Sequence, residues 1–120
     1  MTVILNRDQI LKADDLKTEV VDVPEWGGQV RVRSLTAGER DTFEASITDN
    51  KKSKSGVVTV NIRARIASMC IVDEENKRIF TEQDIAALGE KSGIALNRVF
   101  VAAQNLNGWT EEDVEELEKN

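Results

Sequence analysis

The sequence has no histidine and no tyrosine, one cysteine and one proline in 120 residues, and aromatic residues make up 4%. Each shortage excludes something. Without histidine, the side chain that most readily exchanges protons near neutral pH is missing. A single cysteine cannot close an internal disulfide, which suits a reducing compartment, and with no histidine beside it zinc has too few ligands. Cys70 lies between Met69 and Ile71 in an apolar run, so it reads as a buried structural thiol rather than a nucleophile. No apolar run approaches the roughly 20 residues of a membrane helix. The opening MTVILNRD has neither the basic start nor the apolar length of a secretion signal. An enzyme is not expected.

What is present is acidic and aliphatic. The net charge is −6 and 40% of residues are hydrophobic, so the core should be built from Val, Ile, Leu and Ala. A negative chain is a poor general binder of nucleic acids or anionic membranes. The length suits a single domain over residues 1–120.

The densest structural signal runs from Thr18 to Arg40. Val20, Val21 and Val23 form a β-branched strand stopped by Pro24. Gly27-Gly28 permits a reversal, and Gln29-Val30-Arg31-Val32-Arg33 alternates as a returning strand. Thr36 and Glu39 have the spacing of a capping box, which opens a helix from Ala37 to about Thr48 with Phe43 and Ile47 on one face. Before the hairpin, Asn6 and Gln9 cap a short helix through Lys12 whose apolar contacts are Ile10 and Leu11. Residues 49–56, DNKKSKSG, contain no apolar side chain and read as an exposed, flexible loop.

Val58, Ile62, Ile66 and Met69 then recur at helical spacing and predict a central helix from about Thr59 to Val72. A tight turn follows in DEENKR, after which Ile79 and Phe80 return to the core. Thr81 with Asp84 caps a short helix carrying Ile85 and Leu88, ended by Gly89. Ser92 starts a fifth helix with Leu96, Val99, Phe100 and Ala103 on one face, closed by Gly108. Thr110 caps a last helix over 110–120, EEDVEELEKN, whose six acids and one lysine leave only Val114 and Leu117 apolar. The expected fold is α+β and mostly α-helical, an N-terminal β-hairpin packed on a small helical bundle. Its core should hold Val21, Val32, Phe43, Ile62, Ile66, Met69, Ile85, Leu88, Leu96, Val99 and Phe100.

Chemical motifs fail on inspection. Gly89-Glu90-Lys91-Ser92-Gly93 has the composition of a phosphate loop, but Gly-Lys-Ser is not contiguous and no strand precedes it. Asp73-Glu74-Glu75-Asn76 opens like a calcium loop, yet Arg78 stands where that loop needs glycine. Lys51, Lys52 and Lys54 have no aromatic neighbour to stack a base. No catalytic, metal or cofactor-binding residue is assigned. Partner contacts remain. Trp26, beside Gly27-Gly28, either folds back onto its own domain or meets a partner. Trp109 either latches the acidic segment to the body or marks a docking surface. Val114 and Leu117 form a thin apolar face, for a partner or for their own domain.

The opening RDQILKADD, the block LKTEVVDVPEWGGQVRVRSLTAGERD, the stretch MCIVDEENKRIFTEQDIAALGEKSG and the acidic end occur in one order. Together they resemble the tail assembly chaperones of long-tailed bacteriophages. The resemblance implies a non-enzymatic, mostly helical, self-associating protein of the host cytoplasm. It would bind the tape measure protein, keep it soluble, promote assembly of the tail tube (major tail) protein, and be absent from the mature virion. It also implies a short form and a longer form made by programmed frameshifting. Glu118-Lys119-Asn120 can be encoded as GAA-AAA-AAC, which contains a slippery heptamer, so slippage is expected at those codons. The alternative is a tail completion or head–tail joining subunit of the virion, with the hairpin as an assembly edge.

Overall fold

The computed structural model describes residues 3–52, 61–110 and 112–113, with side chains from 46 to 52 excepted. Helix α1, Arg7–Lys12, starts at a reciprocal capping box in which Asn6 Oδ1 accepts from Gln9 N and Gln9 Oε1 accepts from Asn6 N. Strands β1, Thr18–Val23, and β2, Gly28–Arg33, pair antiparallel in the register Val21↔Val30. Their reversal is a single 3-10 turn, Pro24–Trp26, closed by Gly27 at φ 76°, a left-handed conformation that favours glycine.

Helix α2, Ala37–Lys52, opens at the expected box: Glu39 N donates to Thr36 Oγ1 and Thr36 N to Glu39 Oε1. The same carboxylate receives Arg33 Nη2 of β2 at 2.7 and 2.8 Å. The helix outlasts its expected end near Thr48, and the first residues assigned to the loop over 49–56 are helical. Asp49 to Lys52 contain no proline, glycine or β-branched residue to end the helix there. The rest of that loop lies outside the described residues.

Helix α3, Ile62–Cys70, is shorter than the span expected from Thr59 to Val72. Ile71–Val72 form strand β3 instead, pairing with Val32 and Arg31 of β2. β-Branched residues gain more by completing a sheet than by extending a helix. The sheet therefore has three antiparallel strands in the order β1-β2-β3. The turn after β3 forms as expected, with Asp73 Oδ1 accepting from Glu75 N and Lys77 N, and Arg78 bridging back to Val72. Extended backbone there turns Arg78 and Phe80 one way and Ile79 the other, so Ile79 is 53% exposed and does not return to the core.

Thr81 and Asp84 make their box around a 3-10 turn, Glu82–Asp84, which leads into α4, Ile85–Gly89. Helix α5, Gly93–Asn107, begins where Ser92 Oγ accepts from Ala95 N, lies across β1 and β2, and packs on α3. Buried alanines on both helices, among them Ala67 and Ala103, let the axes approach closely. Val32, Phe43, Ile62, Ile66, Met69, Leu88, Leu96, Val99 and Phe100 are buried as expected. Val21 and Ile85 are only half-buried, each at the margin of its element's packing face.

Candidate partner-binding surfaces

The last turn of α5 decides where Trp109 goes. Gly108 adopts φ 70°, Gly108 N donates to Asn105 O at 3.3 Å and Trp109 N to Gln104 O at 3.0 Å. This is a Schellman motif, which reverses the chain and places the next side chain against the helix it has left. Trp109 is accordingly buried, its ring 6.5 Å from that of Phe43 at an interplanar angle of 20°. Arg40 lies 5.9 Å above the same indole. Thr110 then repeats the capping chemistry, with its N–H donating to Asp113 Oδ2 and its Oγ1 accepting from Asp113 N. Those Thr110 bonds hold the Asp113 carboxyl below its ordinary value of 3.8, and Arg40 adds to the effect. Val114 and Leu117 lie outside the described residues.

Trp26 is half-buried and packs against the core from the hairpin turn. Glu25 beside it binds Arg98 of α5 through two bonds, 2.9 and 3.0 Å, which tie the turn to the helix. The Arg98 guanidinium holds the Glu25 carboxyl below its ordinary 4.5. Trp26, Phe80, Ala87 and Leu88 line a groove of about 820 Å³ whose rim carries Asp84, Glu90 and Lys91. A second groove, of about 340 Å³, lies between α2, α3 and the segment leading into α4, with Phe43, Met69, Phe80 and Ile85 along it.

One surface was not assigned from sequence. Val3, Ile4, Leu5, Ile10 and Leu11 are all exposed, Ile4 at 95% and Leu11 at 66%. The apolar contacts expected of α1 at Ile10 and Leu11 are thus left largely open to solvent, since the helix is six residues long and buries neither. The signal was readable as the paired runs VIL and IL around a capped turn. Trp26 and Trp109 sit on different parts of the body and do not share a site.

Cys70 is wholly buried, and desolvation pushes its thiol up to about 12. Among the described residues no group of three or more acids or cysteines is placed to hold a metal ion. No helix among them is long and apolar enough to cross a membrane.

The family described as phage tail assembly chaperone matches residues 6–120. The chain belongs to that family. The solved structure of the bacteriophage HK97 tail assembly chaperone resembles it with a TM-score of 0.59. That match covers 87% of this chain and 95% of the other at 16% identity, which shows a shared fold. No curated protein matches the chain. Membership makes this a protein of phage tail assembly, working on protein partners of the tail.

Proposed function

We propose that this tail assembly chaperone binds the tape measure protein in the host cytoplasm, keeps it soluble, promotes tail tube assembly around it, and leaves before the virion is complete. The observation that carries the reading is a folded, strongly acidic chain that leaves a run of large aliphatic side chains uncovered at its N-terminal end. Exposed aliphatic clusters mark interaction sites, and a net charge of −6 keeps the resulting complex soluble. Binding the sticky state lowers its free concentration by mass action, and many copies along one long partner add avidity.

The contact set combines Val3, Ile4, Leu5, Ile10 and Leu11 with Val114 and Leu117 of the acidic segment, and with Trp26 on its groove. Trp109 acts as the latch that aims that segment. The chain self-associates on the tape measure and is the short product of a frameshifted pair, with slippage at the codons for residues 118–120.

Co-expression with the tape measure protein of the same genome tests this. The tape measure should become soluble and co-purify, and Ile10→Asp with Leu11→Asp should abolish the effect without unfolding the chain. A truncation to test the tail belongs after Asp113, because Trp109 is part of the core. The second reading, a virion subunit, is favoured by the position of β1 at the sheet edge with Val20 exposed. Mass spectrometry of purified virions decides: finding the chain there sinks the chaperone reading.

A further inference from the structure

Strand β1 is an open edge of the sheet, and its free backbone groups can be assigned one by one. In an antiparallel pair, alternate residues bond the partner through both N–H and C=O, and the residues between them turn those groups away. Lys17 O accepts from Ser34 N at 2.8 Å, which fixes the phase of the ladder. In the register Val21↔Val30, Glu19, Val21 and Val23 bond β2, whereas Thr18, Val20 and Asp22 point theirs outward. No hydrogen bond among the described residues takes up those outward groups. The pairing with β2 is continuous over all six residues, no proline or bulge blunts the edge, and Val20 is 53% exposed.

A second uncovered feature borders that edge. Ile94 and Val101 stand on one stripe of α5 and are 66% and 44% exposed. Arg98 lies between them on the same stripe and binds Glu25, just beyond the end of β1. The other flank of the helix meets α3, where Arg63 Nε donates to Asn97 Oδ1 and the Arg63 guanidinium covers the Phe100 ring. The stripe therefore follows the β1 side of α5. The helix is anchored at both ends of the hairpin, by Arg98 to Glu25 at the turn and by Asn107 Oδ1, which accepts from Leu35 N, at the open end. Val101 sits between those anchors, level with the middle of β1.

We propose that β1 pairs antiparallel with β1 of a second copy, about a two-fold axis that passes through Val20. The outward groups of Thr18, Val20 and Asp22 match one another in this register, and the side chains agree. Val20 meets Val20, the Thr18 hydroxyl meets the Asp22 carboxylate, and Glu19 lies opposite Val21. Slipping by one residue would set Glu19 against Asp22 and put the free N–H and C=O groups out of phase. Three opposed pairs exchanging two bonds each join the two three-stranded sheets into one. The same axis brings the two Val101 side chains together, with Ile94 toward each end of the helix pair. The occupant is a second copy because edge and stripe are each their own complement, as a two-fold interface requires. The inference rests on the self-association proposed above and supplies its interface.

Sedimentation equilibrium of the full chain tests this, and should show twice the mass of one chain, falling to a single mass on dilution. Val20→Pro removes only an outward N–H, which an edge strand tolerates, and should return the mass to that of one chain with unchanged circular dichroism. Ile94→Asp with Val101→Asp, on an exposed stripe of α5, should do the same without touching the strand. Hydrogen exchange should slow at Thr18, Val20 and Asp22 as concentration rises and stay constant at Ile4. Each copy carries −6, so added salt should strengthen the pairing. A doubled mass that survives both variants, or protection that grows at Ile4 and Leu11 instead, would overturn this interface and leave self-association standing. A chain of single mass at every concentration would overturn both, while co-expression reads tape measure binding separately.

Discussion

Replacing Trp109 by alanine discriminates between a latch and a free docking residue. The indole is 8% exposed, stacked on Phe43 and covered by Arg40. Truncating a buried tryptophan costs about 3–5 kcal/mol, and the aromatic pair accounts for about 0.5–1.5 kcal/mol beyond area. Because the residue follows the last helix of the core and its surroundings can partly collapse, the expected loss is at the low end, about 3 kcal/mol. That is a large fraction of the roughly 5–15 kcal/mol that holds a domain together. Urea unfolding followed by far-ultraviolet circular dichroism should show a lower midpoint at unchanged slope. A cycle with Phe43→Leu should give a coupling energy of about 1 kcal/mol. In a Trp26→Phe background, Trp109 is the sole indole and should emit as a buried ring until the transition. A loss under about 1 kcal/mol with no coupling would mean that the indole is solvated, and the account of Gly108 steering Trp109 inward would fail.

Gly108→Ala should destabilise by about 1 kcal/mol, because φ 70° strains any Cβ, whereas Gly93→Ala meets open space at the start of α5 and should be neutral or slightly stabilising; thermal melts compare them. Acid should erode stability in a defined window. Glu25, Asp73 and Asp113 have carboxyls held below their ordinary values of 4.5, 3.8 and 3.8, so each contributes stability that is fully present above those values. That stability fades as pH falls through the lower folded-state values, and Arg98→Ala should remove the Glu25 share of the slope in melts taken from pH 6 downward. Cys70 should not react with a thiol reagent at pH 8 until urea opens the core, and a fast native reaction would contradict its burial.

Local chemistry was legible in the sequence because it is settled within a few residues. The pairs Asn6–Gln9, Thr36–Glu39 and Thr81–Asp84 form the bonds their spacing predicts, and Thr110 caps as expected, with Asp113 as its partner. Helix α5 was equally clear, since Leu96, Val99, Phe100 and Ala103 repeat over about two turns between the caps Ser92 and Gly108. What escaped was tertiary. Ile71–Val72 are too few to show a period of their own, and their partner strand is far away in sequence, so they looked like the end of a helix. Ile10 and Leu11 show a helical face, but periodicity cannot say whether anything covers that face. Trp109 could not be placed in advance because its burial follows from a backbone reversal at Gly108 and a ring contributed by α2.

Glu39 gives the molecule a property that no single contact has. One carboxylate closes the first turn of α2 through Thr36 and also receives the guanidinium of Arg33 at the end of β2. Sheet and helix therefore share a fastener and should open together. Native-state hydrogen exchange should return one common opening free energy for the amides of Val32 and Phe43. In Glu39→Gln, which keeps the cap but loses the charge, the two should exchange as separate units.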